Sequence, residues 1–168
     1  MGGSSLTDAF HATTGKQAVR DRVFDLIAQF DIRVDATIFE KRKTVPTHQK
    51  DLPLYELAWY QHASKVIPQI CDKSEELLVV AASIKTKKEQ IGVAASIRDV
   101  INQCGRSETS TTVSHWPANT DPCLQVADYC CWAIQRKWEL NDDRSHLLIQ
   151  HLIRREYDMW KDGRTYYY

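Results

Sequence analysis

Leu77-Leu78-Val79-Val80-Ala81-Ala82-Ser83-Ile84 is a nearly continuous apolar run. A run this short and this apolar reads as a strand buried on both faces, the kind found inside α/β sheets. The segments on either side of it read as helices. Downstream, residues 87–104 place Ile91, Ala94, Ile97, Ile101 and Cys104 at helical spacing, and Gly105 suits the position just past a helix end. Upstream, Asp51 caps a helix with Pro53 in its first turn. Tyr55, Trp59, His62, Ala63, Val66, Ile67 and Ile70 form its inner stripe, and Pro68 should end or kink it.

Further out, the pattern continues. Residues 16–30 read as a helix whose inner positions are Val19, Val23, Leu26, Ile27 and Phe30. Residues 32–39 alternate: Ile32, Val34, Ala36 and Ile38 point one way, and Arg33, Asp35, Thr37 and Phe39 the other. Residues 109–116 are β-branched and read as a third strand. Asp121-Pro122 forms an N-cap and first-turn pair for another helix, and a last helix is expected over residues 143–161. Residues 1–9 are small and polar and read as a disordered start, so a single domain is expected over residues 10–168. Alternating helices and strands imply an α/β layered domain. Three strands make a thin sheet, so a further strand is expected to be missing or supplied by a partner.

The chain has 168 residues, zero formal net charge and a pI near 7.0. This balance offers no global attraction to nucleic acid or a membrane. A nucleic-acid role would need a local basic patch, and Lys41-Arg42-Lys43 and Lys85-Thr86-Lys87-Lys88 are the two candidates. The five cysteines are odd in number and lack a Cys-x-x-Cys pair, which reads as reduced thiols in a cytoplasmic protein. His115 with Cys123 offers at most half of a zinc site. No stretch approaches a membrane span.

The chemistry concentrates in residues 124–137. At 3.6 residues per turn, Gln125, Asp128, Tyr129, Trp132 and Arg136 share one helix face, while Leu124, Val126, Ala127, Cys130, Cys131, Ile134 and Trp138 fill the rest. Gln125 and Asp128, three residues apart, can share a hard cation or hold a substrate oxygen. One carboxylate is too little for Mg²⁺, and pattern alone favours reading Asp128 as a helix-surface acid beside a solvated Gln125. Trp132 on the same face needs an aromatic base or a packed element as partner. A second acid is available on the first strand. Asp35 lies on its polar face, and Glu40 at its C-terminal end, where open α/β sheets place ligands. Lys41 and Lys43 could hold a phosphate there, and Lys87 is a third candidate substrate contact. His11 and His115 are candidate bases or ligands, although lone histidines are more often structural. No Ser-His-Asp triad, phosphate-binding Gly-rich loop or His-Glu-x-x-His helix is present.

The run from His115-Trp116-Pro117 through Gln125-Val126-Ala127-Asp128-Tyr129 and Trp132-Ala133-Ile134-Gln135-Arg136-Lys137 resembles the domain-of-unknown-function 3800 family, marked by an early Asp-Glu pair and a late Gln-x-x-Asp. Phe10-His11-Ala12, Val23-Phe24, Glu40-Lys41 and Thr86-Lys87-Lys88 also look like that family, so the resemblance runs from about residue 10 onward. It implies a ribonuclease-H-like layered sheet flanked by helices. It also implies two Mg²⁺ (or Mn²⁺) ions roughly 4 Å apart that cleave a phosphodiester. Asp128 would be the late-helix acid with Gln125 beside it, and Glu40 or Asp35 the middle-strand acid. His11 would be a further catalytic group, and Lys41, Lys43, Lys87 and Trp132 the substrate contacts. The family's mobile-element and phage-defence settings suggest nucleic acid as the partner.

One departure stands out. The family's opening Asp-Glu-Ser-Gly strand has no counterpart here, and residues 1–9 hold only Asp8 as an acid. The N-terminal hairpin is therefore expected to be missing. Two functions follow as expectations. One is a metal-dependent ribonuclease-H-like nuclease. The other is a catalytically incomplete interaction or dimerisation module on the same scaffold, with a homo-oligomer completing the sheet.

Overall fold

The structure is a computed structural model that describes residues 12–48, 51–71, 76–83, 86–103 and 110–166. In chain order these form α1 (Gln17–Ile27), β1 (Val34–Ile38), α2 (Asp51–Ile70), β2 (Leu77–Ala82), α3 (Lys87–Gln103), β3 (Thr111–Trp116), α4 (Pro122–Leu140), α5 (Arg144–Ile149) and β4 (Ile153–Asp158). The expected α/β class is present. Among the described residues the strands form two separate parallel pairs, β1 with β4 and β2 with β3. Each pair joins like ends. Leu77 N–H donates to Ser110 O at 2.8 Å where β2 and β3 begin, and Met159 N–H donates to Ile38 O at 3.0 Å where β1 and β4 end. Parallel neighbours need a long crossover, and α3 supplies it between β2 and β3.

The chain divides into two compact units. The first joins Met1–Val34 with Trp116–Arg155, and the second joins Asp35–His115 with Glu156–Tyr168. Each has its own apolar core. In the first unit Ala12, Phe24, Ile27, Tyr129, Cys130, Ala133, Ile149 and Leu152 are buried together, with Val126, Trp132 and Leu148 packed against them. In the second, Ala63 and Ile67 of α2 meet Val93, Ile97, Val100 and Ile101 of α3. At this contact Gly92 of α3 faces the flexible Glu56 carboxylate of α2. Tyr60 Oη donates to Gln103 Oε1 across the same contact.

Three expectations change. First, the last helix does not run over residues 143–161. α5 stops at Ile149, a tight turn covers Gln150–Leu152, and β4 follows. Leu148, Ile149 and Leu152 satisfy the helical period, but from Ile153 the residues also satisfy a two-residue period, and pairing with β1 selects it. Second, β2 is not buried on both faces. Ala81 is its one buried residue, and Leu78 is 58% exposed. Its only sheet neighbour among the described residues is β3, so two helices covering one side leave the other open. Third, α1 turns a different face inward. Phe24 and Ile27 are buried, whereas Leu26 and Phe30 are exposed.

Pro68 sits inside the last turn of α2, and the helix ends two residues later. α4 begins as expected. The Asp121 carboxylate accepts the Leu124 N–H at 3.1 Å, and Pro122 takes the first position. It ends on Asn141 in the left-handed conformation, φ 52°.

Candidate functional site

In the first unit, the polar stripe of α4 packs against α1 and the segment leading into it. Asp128 Oδ2 accepts the Ala12 backbone N–H at 3.2 Å. The carbonyl of the same residue accepts Arg20 Nε from α1 at 2.6 Å. Ala12 is thus held through both its backbone N–H and its carbonyl, with its methyl group fully buried. Arg20 spends its other donors on Gln17 Oε1 at 3.0 Å and Thr13 O at 3.3 Å. Ala12 belongs to the Phe10-His11-Ala12 segment of the resemblance, whereas nothing in the sequence singles out Arg20.

Trp132 is enclosed by the same elements. Its ring stacks near Phe24, with centroids 6.3 Å apart at 28°. The Arg20 guanidinium lies 4.6 Å from the indole centroid, and that of Arg136 lies 5.5 Å away. Arg136 is anchored in turn by Asp142, whose Oδ2 accepts from both Nε and a terminal nitrogen at 3.1 and 2.7 Å. That contact holds the Asp142 carboxyl below its usual range. Trp132 is therefore a packed partner of α1, one of the two readings its position allows, and not an open stacking surface for a base.

Tyr129 is the most deeply buried member of the stripe. It is 1% exposed and meets Phe24 edge-on at 5.5 Å. Its hydroxyl is buried without a hydrogen-bond partner among the described residues. Burial raises its pKa above the ordinary phenol value. Cys130 beside it is buried, whereas Ala127, Cys131 and Trp138, expected inside, are exposed. The inward face of α4 is thus rotated toward Tyr129 and Trp132 from the face that the apolar residues alone indicate. Gln125 lies half-buried in the second turn of α4.

In the second unit, Glu40 sits just past β1, as expected, but its carboxylate already carries two cations. Arg42 reaches Oε1 at 2.7 Å and Lys43 reaches Oε2 at 3.1 Å. The Lys43 contact is the main reason the Glu40 pKa lies below the ordinary value. Lys43 also donates to Trp160 O at 3.3 Å and lies 5.4 Å from the Tyr166 ring. With its side chain only 11% exposed, Lys43 is a packed residue and not an open phosphate contact. Lys41 begins the short turn after Glu40, and Lys87 is exposed at the start of α3. His11 lies outside the described residues.

Asp35 and Thr37 of β1 approach His62 of α2. Thr37 Oγ1 and His62 Nδ1 are 3.0 Å apart, and Trp59 meets the imidazole edge-on at 6.5 Å. Burial lowers the His62 pKa, and the Asp35 charge partly opposes this.

Magnesium at a two-metal centre takes two or more carboxylates with water and phosphate oxygens. Among the described residues, no three His, Cys, Asp or Glu side chains gather into such a group. Asp128 holds a backbone amide, and Glu40 holds two cations. Among the described residues, the donors do not gather into the two-metal centre that the resemblance implies. No helix is long and apolar enough to cross a membrane. Compared with protein-family models, curated proteins and solved structures, the chain matches none.

Proposed function

We infer that this chain is a catalytically incomplete interaction module on an α/β scaffold of the kind the 3800 family uses, ribonuclease-H-like in ancestry and cytoplasmic in setting. The observation that supports this reading most directly is the clamp on Ala12. The carboxylate that would be the late-helix metal ligand serves as an acceptor tying the N-terminal segment to α4. The partner in this reading is a second copy of the chain. The parallel pairs are only two strands wide among the described residues, and an open strand edge accepts another strand.

Light scattering over a concentration series, together with cleavage assays in Mg²⁺ and Mn²⁺ on single- and double-stranded DNA and RNA, tests this. The expected result is a concentration-dependent dimer and no metal-dependent cleavage. A monomer at every concentration would overturn the dimer. Cleavage lost in Asp128→Asn, with the fold intact, would overturn the module reading as a whole.

The second reading is a Mg²⁺- or Mn²⁺-dependent nuclease acting on nucleic acid. One observation favours it. The residue clamped on Asp128 is Ala12, which directly follows His11 in the chain, so the clamp ties the neighbour of one candidate catalytic group to another, one turn of α4 beyond Gln125.

A further inference from the structure

The second unit contains a cavity that neither reading uses. It has a volume of about 230 Å³ and lies between α2 and β2, walled by Trp59, Val66, Ile67, Leu77 and Val79 with His62 as its one imidazole. The pocket is half open to solvent, and Leu78 in its lining is 58% exposed, but its apolar walls offer a water few polar partners. An apolar cavity of roughly 150 Å³ holds one benzene molecule. The space here is therefore enough for a single ring with a small substituent.

The polar lining residue narrows the choice. His62 engages Thr37 Oγ1 through Nδ1. Either Thr37 donates and Nε2 carries the proton, or Nδ1 donates and Nε2 is an acceptor. A hydroxyl group on the ligand suits both cases, since it can donate or accept. A charged ligand does not fit, because the walls offer no counter-ion and burial already disfavours charge on the imidazole. Pockets of this type, apolar with one placed polar group, bind small organic molecules and orient them through that group.

We propose that the α2–β2 cavity binds a small uncharged phenol-like molecule, its ring among the aliphatic walls and its hydroxyl on the His62 imidazole. The site is independent of Asp128 and of any nuclease chemistry, so it stands or falls apart from the proposed function.

The test is titration of the full chain with p-cresol and with toluene, followed by the methyl resonances of Ala63, Val66 and Leu78. Saturable one-to-one binding of both is expected, with p-cresol about three- to tenfold tighter, the worth of one net hydrogen bond. His62→Phe should remove the preference for p-cresol. Val66→Trp should fill the space and abolish binding of both, with Leu78→Trp as the second filling variant if the first does not fold. Equal affinity of the two ligands in wild type would overturn the role of His62. Absence of saturation, or binding unchanged by the filling variants, would overturn the site. So would protection of the same methyl groups by self-association in place of ligand.

Discussion

Ala12 and Asp128 are joined by a 3.2 Å hydrogen bond across 116 residues of sequence, and Arg20 donates to the carbonyl of the same alanine. This relationship makes the acid of the Gln-x-x-Asp helix a structural acceptor. Removing it leaves a backbone N–H without its charged partner. Asp128→Ala should therefore cost about 2 kcal/mol, the range for a lost hydrogen bond to a charged group, with Asp128→Asn retaining part of it. Urea unfolding of the three chains checks this. A loss below about 0.5 kcal/mol in the alanine variant would show that Ala12 does not depend on the carboxylate.

Tyr129 gives the opposite sign. Its hydroxyl has been taken from water and has no partner among the described residues, while its ring packs edge-on against Phe24. Tyr129→Phe keeps the ring and deletes the desolvated group. The variant should be more stable by about 1 kcal/mol. A decrease of that size would mean that the hydroxyl is bonded in solution.

The cysteines should differ sharply in reactivity. Burial, with Cys131 as a lesser cause, pushes the Cys130 thiol up to about 11, whereas Cys123 is exposed. At about pH 8 only on the order of one Cys130 in a thousand is thiolate, and it is also shielded. Iodoacetamide on the native chain should label Cys123 quickly and Cys130 only after unfolding, read by peptide mass spectrometry. Comparable native labelling of both would contradict the packing of α4.

Acid should weaken the second unit through His62. Burial lowers its folded pKa below the ordinary value near 6.5, so above that value both folded and unfolded chains are neutral there and stability is complete. As pH falls from about 6.5 toward the folded pKa, the unfolded chain takes the proton first and stability is lost. Burial shifts His115 in the same direction. Stability measured by urea from about pH 7.5 to about pH 5 should decline, with a shallower slope in His62→Gln. An unchanged slope in that variant would remove His62 from the account.

The local elements were legible in the sequence where one period dominates. Asp121-Pro122 marks the start of α4, the apolar run marks β2, and the α3 stripe of Ile97 and Ile101 is buried as its spacing indicates. The reading failed where a distant strand decides the local structure. Leu148, Ile149, Leu152 and Ile153 fit a helix, and nothing local says that the chain turns to a strand at Ile153. Strand pairing is decided by β1, more than a hundred residues earlier in the chain.

The candidate site divides in the same way. The sequence by itself places Gln125, Asp128, Trp132 and Arg136 on one face of α4, because helical geometry requires it. Only the tertiary structure decides what that face meets: α1 brings Arg20 and Phe24 to Trp132, and Ala12 to Asp128. The reason is that a carboxylate or indole on a helix has the same local pattern whether its partner is an ion, a base or the chain's own backbone. Glu40 repeats the point, since its neighbours Arg42 and Lys43 read as a phosphate cluster until folding turns both onto the carboxylate. Periodicity fixes which side chains share a face, and long-range packing fixes what they hold.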